Sequence, residues 1–346
     1  MRKKWLRLVV FTGLCSIFTL RSLQKPTVYR PAAAALPLTA AEQPVTTIEI
    51  SGPLADRNAE VSGLDWYGDW LILLPQYPER LGGSLFALQK SDILDFLSGQ
   101  TTEPLVPQPI AFQDGQIGEQ IEGFEGYEAI AFRGDQVYLT IEAEVGDAAR
   151  GYVLSGTIES DLSELVIDTD TIVDSPGQST SPNKADEALL LANDKVISIY
   201  EVSGAQVNPM PQMHAFDFDL APLPSVPFPT IEYRITDATQ LNEQNRFWAI
   251  NYFYEGDRDL LPTRDPLTVR YGRGPTHRQQ ATVERLVEFT YTDQGIVRTD
   301  SAPLQLQLIE DGRNWEGVAR LDEDGFLMIT DKFPETTLGF VEQPEN

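Results

Sequence analysis

The sequence has almost no cysteine or histidine. Cys15 is the single cysteine and lies in the leading apolar run, and the two histidines are His214 and His277. Disulfides and most zinc sites are built from these residues, so the chain after residue 44 is predicted to have neither. The sequence also lacks a phosphate-binding glycine loop, a dinucleotide-binding fingerprint and a G-x-S-x-G nucleophile turn. The enzyme classes that these motifs mark are therefore excluded.

Positive charge is scarce outside the first 44 residues. The 346-residue chain has 26 Lys and Arg against 52 Asp and Glu, a formal net charge of -26. Residues 1–44 contain seven of the bases and one of the acids, which leaves 19 bases against 51 acids in the remainder. A surface this acidic repels nucleic acids and anionic membranes, so neither is expected as a partner. A divalent cation is the expected partner.

The first residues predict export. Residues 1–7 are basic, and residues 8–20 form a 13-residue stretch without a charge. A signal-peptide core has about 7–15 apolar residues, whereas a membrane-spanning helix needs about 20. Residues 1–44 are therefore predicted to be a signal peptide or, alternatively, a short membrane anchor, followed by a linker. The protein is expected to be secreted, periplasmic or associated with the cell envelope, and to touch a membrane only through this segment if it is uncleaved.

Five segments between residues 45 and 346 repeat one pattern, in which a polar residue, a short apolar strand, a turn and a second apolar strand follow one another. The turns are Gly68-Asp69, Gly134-Asp135, Asn193-Asp194, Gln244-Asn245 and Asp324-Gly325, and such residue types favour hairpins. Two further strands follow most repeats. The pattern predicts an all-β fold, a single β-propeller of five four-stranded blades over residues 45–346, which the N-terminal strand 45–50 (VTTIEI) closes. A sixth blade within residues 238–317 is the alternative.

Two sets of polar residues recur at fixed positions of the repeat. The first strands begin with Ser62, Glu128, Glu187, Asp237 and Glu316, and the second strands end with Gln76, Glu142, Glu201, Asn251 and Asp331. Both sets lie at the same edge of their hairpins. If the first strands line a central channel, the first set forms an inner ring of acids and one serine. Clustered carboxylates attract a hard cation, and Ca²⁺ accepts about 6–8 oxygen ligands. The first set is therefore a predicted Ca²⁺ site, and a solvated rim that binds nothing is the alternative.

The bases of the acidic region are concentrated in one insertion, at residues 255–285. It contains Arg270, Arg273 and Arg278, and His277 lies among them. Arginine presents a planar fork that matches carboxylate and phosphate groups. These three arginines are therefore the candidate substrate-binding residues for an anionic small molecule such as a phosphorylated one. The alternative is that they pair with acids of the protein itself.

The first and last repeats resemble a known family. EVSGLDWYGDWLILLPQ (60–76) and NWEGVARLDEDGFLMITDKF (314–333) are similar to segments of the phytase-like ("esterase-like activity of phytase") propeller domains, and RLVEF (285–289) resembles the strand after that family's long insertion. The ring of acids also resembles the Ca²⁺-centred five-bladed apyrases, which implies a metal at Ser62, Glu128, Glu187 and Glu316. The resemblance implies an exported, Ca²⁺-dependent phosphoesterase or esterase-like hydrolase.

The expected function follows from the ring, the basic insertion and the resemblance together. It is a Ca²⁺-dependent phosphoesterase or esterase-like hydrolase that acts on an anionic small molecule at the acidic face. The candidate catalytic residues are Glu142, Glu201, Asp331 and His277. The alternative is a non-catalytic envelope propeller that binds a protein or a glycan and holds Ca²⁺ for structural reasons.

Overall fold

The computed structural model describes residues 40–146, 148–181, 183–310 and 312–344. The predicted leader, residues 1–44, lies almost entirely outside the described residues. The chain opens with two short strands, β1 (Glu42–Gln43) and β2 (Thr46–Ile48). Among the described residues, no helix has the length and apolar character needed to cross a membrane.

The strands that follow fall into five consecutive groups. The first two groups comprise β3 (Val61–Tyr67), β4 (Trp70–Pro75), β5 (Ser84–Gln89), α1 (Lys90–Leu97) and β6 (Gln108–Gln113), then α2 (Ile117–Gln120), β7 (Phe124–Arg133), β8 (Gln136–Val145), β9 (Ala148–Ile158) and β10 (Glu164–Pro176). Each is an antiparallel meander, and a parallel pairing of β6 with β10 joins the two into one eight-stranded sheet.

The remaining groups form separate sheets. They comprise β11 (Asp186–Ala192), β12 (Lys195–Tyr200), β13 (Gln212–Phe216) and β14 (Pro222–Pro227); then β15 (Arg234–Ala238), β16 (Arg246–Phe253), α3 (Pro266–Tyr271), β17 (Val283–Thr292), β18 (Gly295–Arg298) and β19 (Leu304–Leu306); and last β20 (Trp315–Leu321), β21 (Gly325–Thr330) and β22 (Leu338–Glu342). The 3-10 helices of the described residues are Gly52–Ala55, Arg57–Ala59, Pro78–Leu81 and Arg258–Leu260. The described strands that lie wholly within residues 238–317, which are β16 to β19, all belong to one sheet.

The hairpins form where the sequence predicts them, because their turn residues accept a left-handed backbone. Gly68 and Gly134 have φ 58°, and Asn193 and Asn245 have φ 55° and 57°. Gly and Asn tolerate positive φ better than other residues do, and the tightest hairpin turns require it. The apolar strands that flank these turns are buried.

The five groups close into a ring. Their first strands contact one another in sequence, β3 with β7, β7 with β11, β11 with β15, β15 with β20, and β20 with β3. A separate cluster of buried apolar side chains lies between each pair of neighbouring groups, including the fifth and the first. The predicted β-propeller, with first strands that line its centre, is therefore confirmed. The count of five blades, against six, stays a prediction.

The N-terminal strand joins the last group, as the sequence predicts. β2 pairs antiparallel with β22, and Thr47 lies opposite Gly339. The closure gives the outer strand of the last group a partner and so removes one exposed sheet edge. At the same junction, the Nε1 of Trp66 in β3 donates a hydrogen bond to the carbonyl of Arg320 in β20, at 2.7 Å.

Candidate functional site

A cavity of about 410 Å³ opens at the edge where the first strands begin and the second strands end. Its walls comprise Ser62, Gln76, Glu128, Glu142, Asn183, Lys184, Glu187, Arg234, Tyr252, Tyr254, Asp257, Asn314, Glu316, Asp331, Lys332 and Phe333. Four of the five residues predicted for the inner ring line this cavity, and three of the five predicted for the outer collar do so. The repeat therefore predicts the place of the cavity and much of its wall.

A β-bulge at the start of each first strand brings the ring residues together. The pairing with the second strand shifts register between Val61 and Gly63 in β3, and at the corresponding places in the other four first strands. A bulge adds one residue to a strand and re-aims its side chain. Ser62, Glu187 and Glu316 are the extra residues, and Glu128 lies within the corresponding shift of β7.

The fourth ring position is occupied by Thr236 and not by the predicted Asp237. The Oγ1 of Thr236 donates to the carbonyl of Trp315 at 2.5 Å, just as the Oγ of Ser62 donates to the carbonyl of Tyr127 at 2.5 Å. Asp237 instead accepts the backbone N–H of Val318 at 2.7 Å and is not part of the cavity wall. The turn between β15 and β16, residues 239–245, is longer than the turns of the other first hairpins, which moves the ring position by one residue relative to the spacing used for the prediction.

Of the predicted outer collar, Gln76, Glu142 and Asp331 line the cavity, whereas Glu201 and Asn251 lie beneath it. Gln76 donates through Nε2 to the Oε1 of Glu128 at 2.9 Å. Glu201 is completely buried. Asn251 donates through Nδ2 to the carbonyl of Arg234 at 3.0 Å and accepts from the Nε of Arg285 at 2.8 Å.

Arg234 stands at the centre of the acidic cluster, and the sequence analysis does not predict it. It is the first residue of β15 and pairs with Tyr252 of β16. Its Nε donates to the Oε1 of Glu201, and its Nη2 lies 3.3 Å from the Oε1 of Glu316. The repeat assigns the polar start of the fourth first strand to Asp237, so Arg234 is not among the residues predicted for the site. Its position between apolar strand residues, directly before a repeat begins, is the signal that could identify it.

Lys184 is a second cation beside the same acids. Its Nζ lies 3.5 Å from the Oε2 of Glu201, and its side chain is only 10% exposed. Glu201 therefore has a cation next to each of its oxygens. A buried carboxylate that is paired in this way is stabilised as long as both partners remain.

Burial raises the pKa values of the carboxyl groups in the cavity wall. The pKa of Glu142 rises to about 7, because burial and the charge of Glu201 outweigh the opposing effect of Lys184 and Arg234. Burial raises the pKa of Glu316 to about 8, although Arg234 opposes the shift. Burial and the neighbouring carboxylates raise the pKa values of Glu128 and Glu187 well above their ordinary range. Some of these groups therefore hold a proton at neutral pH.

Several carboxyl oxygens of the cluster lack a hydrogen-bond partner among the described residues. These are the Oε1 of Glu142, the Oε2 of Glu316 and the Oε2 of Glu201. Glu142 and Glu316 are 4% and 6% exposed. Leaving a buried polar atom without a partner costs about 1–3 kcal/mol, so such atoms commonly mark a functional site.

The predicted calcium site stays a prediction. Within residues 40–344, the described side chains include no group of three or more His, Cys, Asp or Glu arranged to hold a metal ion. Arg234 already brings a positive charge to Glu201 and Glu316. No step of the chemistry below depends on a metal.

The three predicted arginines of the basic insertion lie away from the cavity, whereas Asp257 of the same insertion lines it. Arg270 pairs with Asp300 at 3.0 Å, Arg273 contacts the carbonyl of His277, and Arg278 is exposed. Part of the insertion is the helix α3, where the sequence predicts an exposed loop. None of the three arginines belongs to the cavity wall, so the structure does not place the predicted anion site there.

His277 is buried beside the N-terminal segment, and not at the cavity. Its Nδ1 lies 2.9 Å from the Oε1 of Glu42, and its Nε2 accepts the backbone N–H of Glu284 at 3.3 Å. Glu42 also accepts the backbone N–H groups of Thr276 and His277. His277 therefore attaches the N-terminal segment to the insertion. The structure does not bring it together with Glu142 or Asp331.

No family model matches the sequence, and no curated protein matches it. Solved structures are similar in fold at very low sequence identity. An α-L-arabinanase from Cellvibrio cellulosa, solved with arabinohexaose, is 10% identical, with 84% of this chain and 93% of that chain covered and a TM-score of 0.44. A β-1,2-mannobiose phosphorylase from Listeria innocua is 9% identical, with 86% and 94% covered and a TM-score of 0.46.

A third similar structure comes from a study of the GH130 mannoside phosphorylases, a family that contains glycoside hydrolases which target β-1,2 mannosidic linkages in Candida mannan. It is 8% identical, with 91% of this chain and 97% of that chain covered and a TM-score of 0.49. These likenesses concern the fold alone. None of the three is described as a phytase-like domain or an apyrase, so the resemblance seen in the sequence is not supported.

The function predicted from the sequence is corrected by these findings. The sequence predicts a Ca²⁺-dependent phosphoesterase or esterase-like hydrolase, with a non-catalytic envelope propeller as the alternative. The prediction is wrong, since the three similar structures are glycoside hydrolases or phosphorylases that act on carbohydrates. The cavity gives a physical reason against a phosphorylated substrate, because acids outnumber cations on its wall and the predicted arginines lie elsewhere.

Proposed function

We propose that the protein cleaves glycosidic bonds, with the cavity at the end of the propeller channel as its active site. Glycoside cleavage needs two carboxyl groups, one that gives a proton to the leaving oxygen and one that acts as base or nucleophile. The cavity wall is rich in carboxyl groups, whereas the sequence has none of the nucleophile or phosphate motifs of other hydrolases. The chemistry available in the cavity is therefore that of carboxylic acids.

Glu142 is the proposed general acid. It lies in β8 on the cavity wall and is 4% exposed. Its Oε1 has no hydrogen-bond partner among the described residues. Burial raises its pKa to about 7, which suits a group that must hold a proton at neutral pH and release it to the substrate. This buried, unpartnered carboxyl group on the cavity wall is the observation that carries the proposal.

Asp331 is the proposed second carboxylate. It follows β21 directly, is half-buried on the cavity wall, and is oriented by the backbone N–H of Phe333, which donates to its Oδ1 at 2.8 Å. A partly exposed carboxylate can contact both the sugar and a water molecule. The separation between the two carboxyl groups in the substrate complex decides whether the configuration at the cleaved carbon is inverted or retained.

Aromatic rings at the cavity provide a surface for the sugar. Tyr254 and Phe333 are 48% and 49% exposed and both line the cavity. Large aromatic side chains are usually buried, because burial of their apolar faces is favourable. Two exposed ones at one cavity are therefore unusual. Tyr252, which is buried, lies beside them and pairs with Arg234.

Hydrolysis by the purified chain of a panel of alkyl glycosides and disaccharides, whose leaving oxygen needs a proton, tests the proposal. We expect at least one glycoside to be cleaved, and Glu142→Gln to lower kcat by about 10²–10⁴-fold, the range found for removal of a general acid. Glu103→Gln, an exposed carboxylate that does not line the cavity, is the matched control. If no glycoside is cleaved, or if Glu142→Gln is as active as the control variant, the proposal is wrong.

A further inference from the structure

We infer that the sugar bound in this cavity carries an ammonium group, which makes the substrate class an amino sugar with a free amine. The inference rests on the proposed function and adds a substrate class to it. It is carried by the excess of carboxyl groups over cations on the cavity wall and by two buried carboxyl oxygens, on side chains that line the cavity, that lack hydrogen-bond partners among the described residues.

Acids outnumber cations on the cavity wall. The acids are Glu128, Glu142, Glu187, Asp257, Glu316 and Asp331, and the cations are Lys184, Arg234 and Lys332. Each cation is paired with an acid. Lys184 and Arg234 both contact Glu201, which does not line the cavity, and the Nζ of Lys332 lies 3.2 Å from the Oε1 of Glu60, which does not line it either. The wall therefore offers a ligand more carboxyl groups than free positive charge.

Two buried oxygens on the wall need a hydrogen-bond donor. The Oε1 of Glu142 and the Oε2 of Glu316 lack partners among the described residues, and both side chains are more than nine-tenths buried. An ammonium group has three N–H donors and a full positive charge, so it can serve more than one carboxyl oxygen. A hydroxyl group has one donor and carries no charge.

The cavity already holds a nitrogen cation in the same way. The Nη2 of Arg234 lies 3.3 Å from the Oε1 of Glu316, and the Nδ2 of Asn314 donates to the same oxygen at 2.6 Å. One oxygen of Glu316 thus accepts two N–H donors from the protein, and the other remains for the ligand.

The inference predicts an order of affinities. A charged hydrogen bond is stronger than a neutral one by enough to give about tenfold or more in affinity. Glucosamine, galactosamine or mannosamine should therefore bind at least about tenfold more tightly than its parent hexose. The N-acetylated sugar should lose this gain because its nitrogen is uncharged, and glucuronate should bind more weakly than glucose because its charge is repelled.

Isothermal titration calorimetry of the full chain measures the affinity for each of these four kinds of sugar and so tests the order. The comparison of the amino sugar with its parent hexose is decisive and needs only the wild-type protein. Glu316→Gln keeps an acceptor for Arg234 and Asn314 and removes the charge, so it should abolish the preference, whereas Glu103→Gln should preserve it. Equal binding of the amine and its parent, tighter binding of glucuronate, or no binding of any amine overturns the inference. The proposed function would still stand if the wild type cleaves uncharged glycosides and Glu142→Gln does not. Hydrolysis is measured separately from the preference for the amino sugar.

Discussion

Replacing Asp65 by Asn should remove a large pH dependence from the stability of the fold. Asp65 is 6% exposed in β3, and its Oδ2 accepts the backbone N–H of Phe132 at 2.8 Å, which links the first group to the second. Burial raises the pKa of Asp65 from its ordinary 3.8 to about 7, although the N–H groups of Phe132 and Trp66 oppose the shift. The folded protein therefore binds this proton more tightly than the unfolded chain does.

The sign and size follow from linkage. Below the unfolded pKa of about 4 the carboxyl group is protonated in both states, so the folded state loses nothing there. As pH rises towards about 7, the unfolded chain ionises first and stability falls; above about 7 the loss stays constant. A shift of about 3 pKa units corresponds to about 4 kcal/mol at 1.36 kcal/mol per unit. This value is the ceiling for the contribution of Asp65.

Urea unfolding at pH 5, 6, 7 and 8 measures this effect. Asn keeps an oxygen acceptor for the N–H of Phe132 and cannot ionise. The free energy of unfolding of Asp65→Asn, relative to wild type, should therefore rise steadily between pH 5 and 7 by up to about 3 kcal/mol. Asp69→Asn, in an exposed turn, should show no such trend. A difference between Asp65→Asn and wild type that stays constant over this pH range would refute the reasoning.

Three further predictions concern the cavity. Arg234→Ala should lower the free energy of unfolding by about 3–5 kcal/mol, because it leaves the buried Glu201 without its main partner; urea unfolding checks this, and a loss below about 1 kcal/mol would contradict the pairing. The kcat/KM of glycoside cleavage should fall as pH rises above about 7, because Glu142 must hold its proton; a rate that keeps rising to pH 9 would contradict its role as acid. If Ca²⁺ binds the wall at Glu128, Glu187 and Glu316, Ca²⁺ at 100 times its Kd adds about 2.7 kcal/mol, so chelation should lower the melting temperature; an unchanged temperature and no calcium in elemental analysis would refute the site.

The fold could be predicted from the sequence because its repeat is local. Hairpin turns such as Gly134-Asp135 and Asn193-Asp194 are marked by residues that accept positive φ, and the apolar strands on either side of them are short and regular. The closing strand could be predicted by counting, since the last group lacks an outer strand and VTTIEI is available at the other end of the chain. Its pairing with β22 confirms this step.

The candidate site was less predictable, for two physical reasons. The turn between β15 and β16 is longer than those of the other first hairpins, which is why the fixed spacing from the end of the second strand assigns Asp237 where the structure has Thr236. Contacts between distant parts of the chain are also invisible in local patterns. Arg234 meets Glu316 across 82 residues, and His277 meets Glu42 across 235 residues. The repeat brings Glu128, Glu187 and Glu316 to the cavity wall and misses the cation that lies among them.

The most direct test of the central claim compares Glu142→Gln on glycosides with poor and with good leaving groups. A general acid helps most when the leaving oxygen needs a proton, and it contributes little when that oxygen departs readily as an anion. We predict a loss of about 10²–10⁴-fold in kcat/KM on an alkyl or sugar leaving group and a much smaller loss on a dinitrophenyl glycoside. Equal losses on both substrates, or no loss on either, would contradict the assignment of Glu142 as the acid and with it the proposed active site.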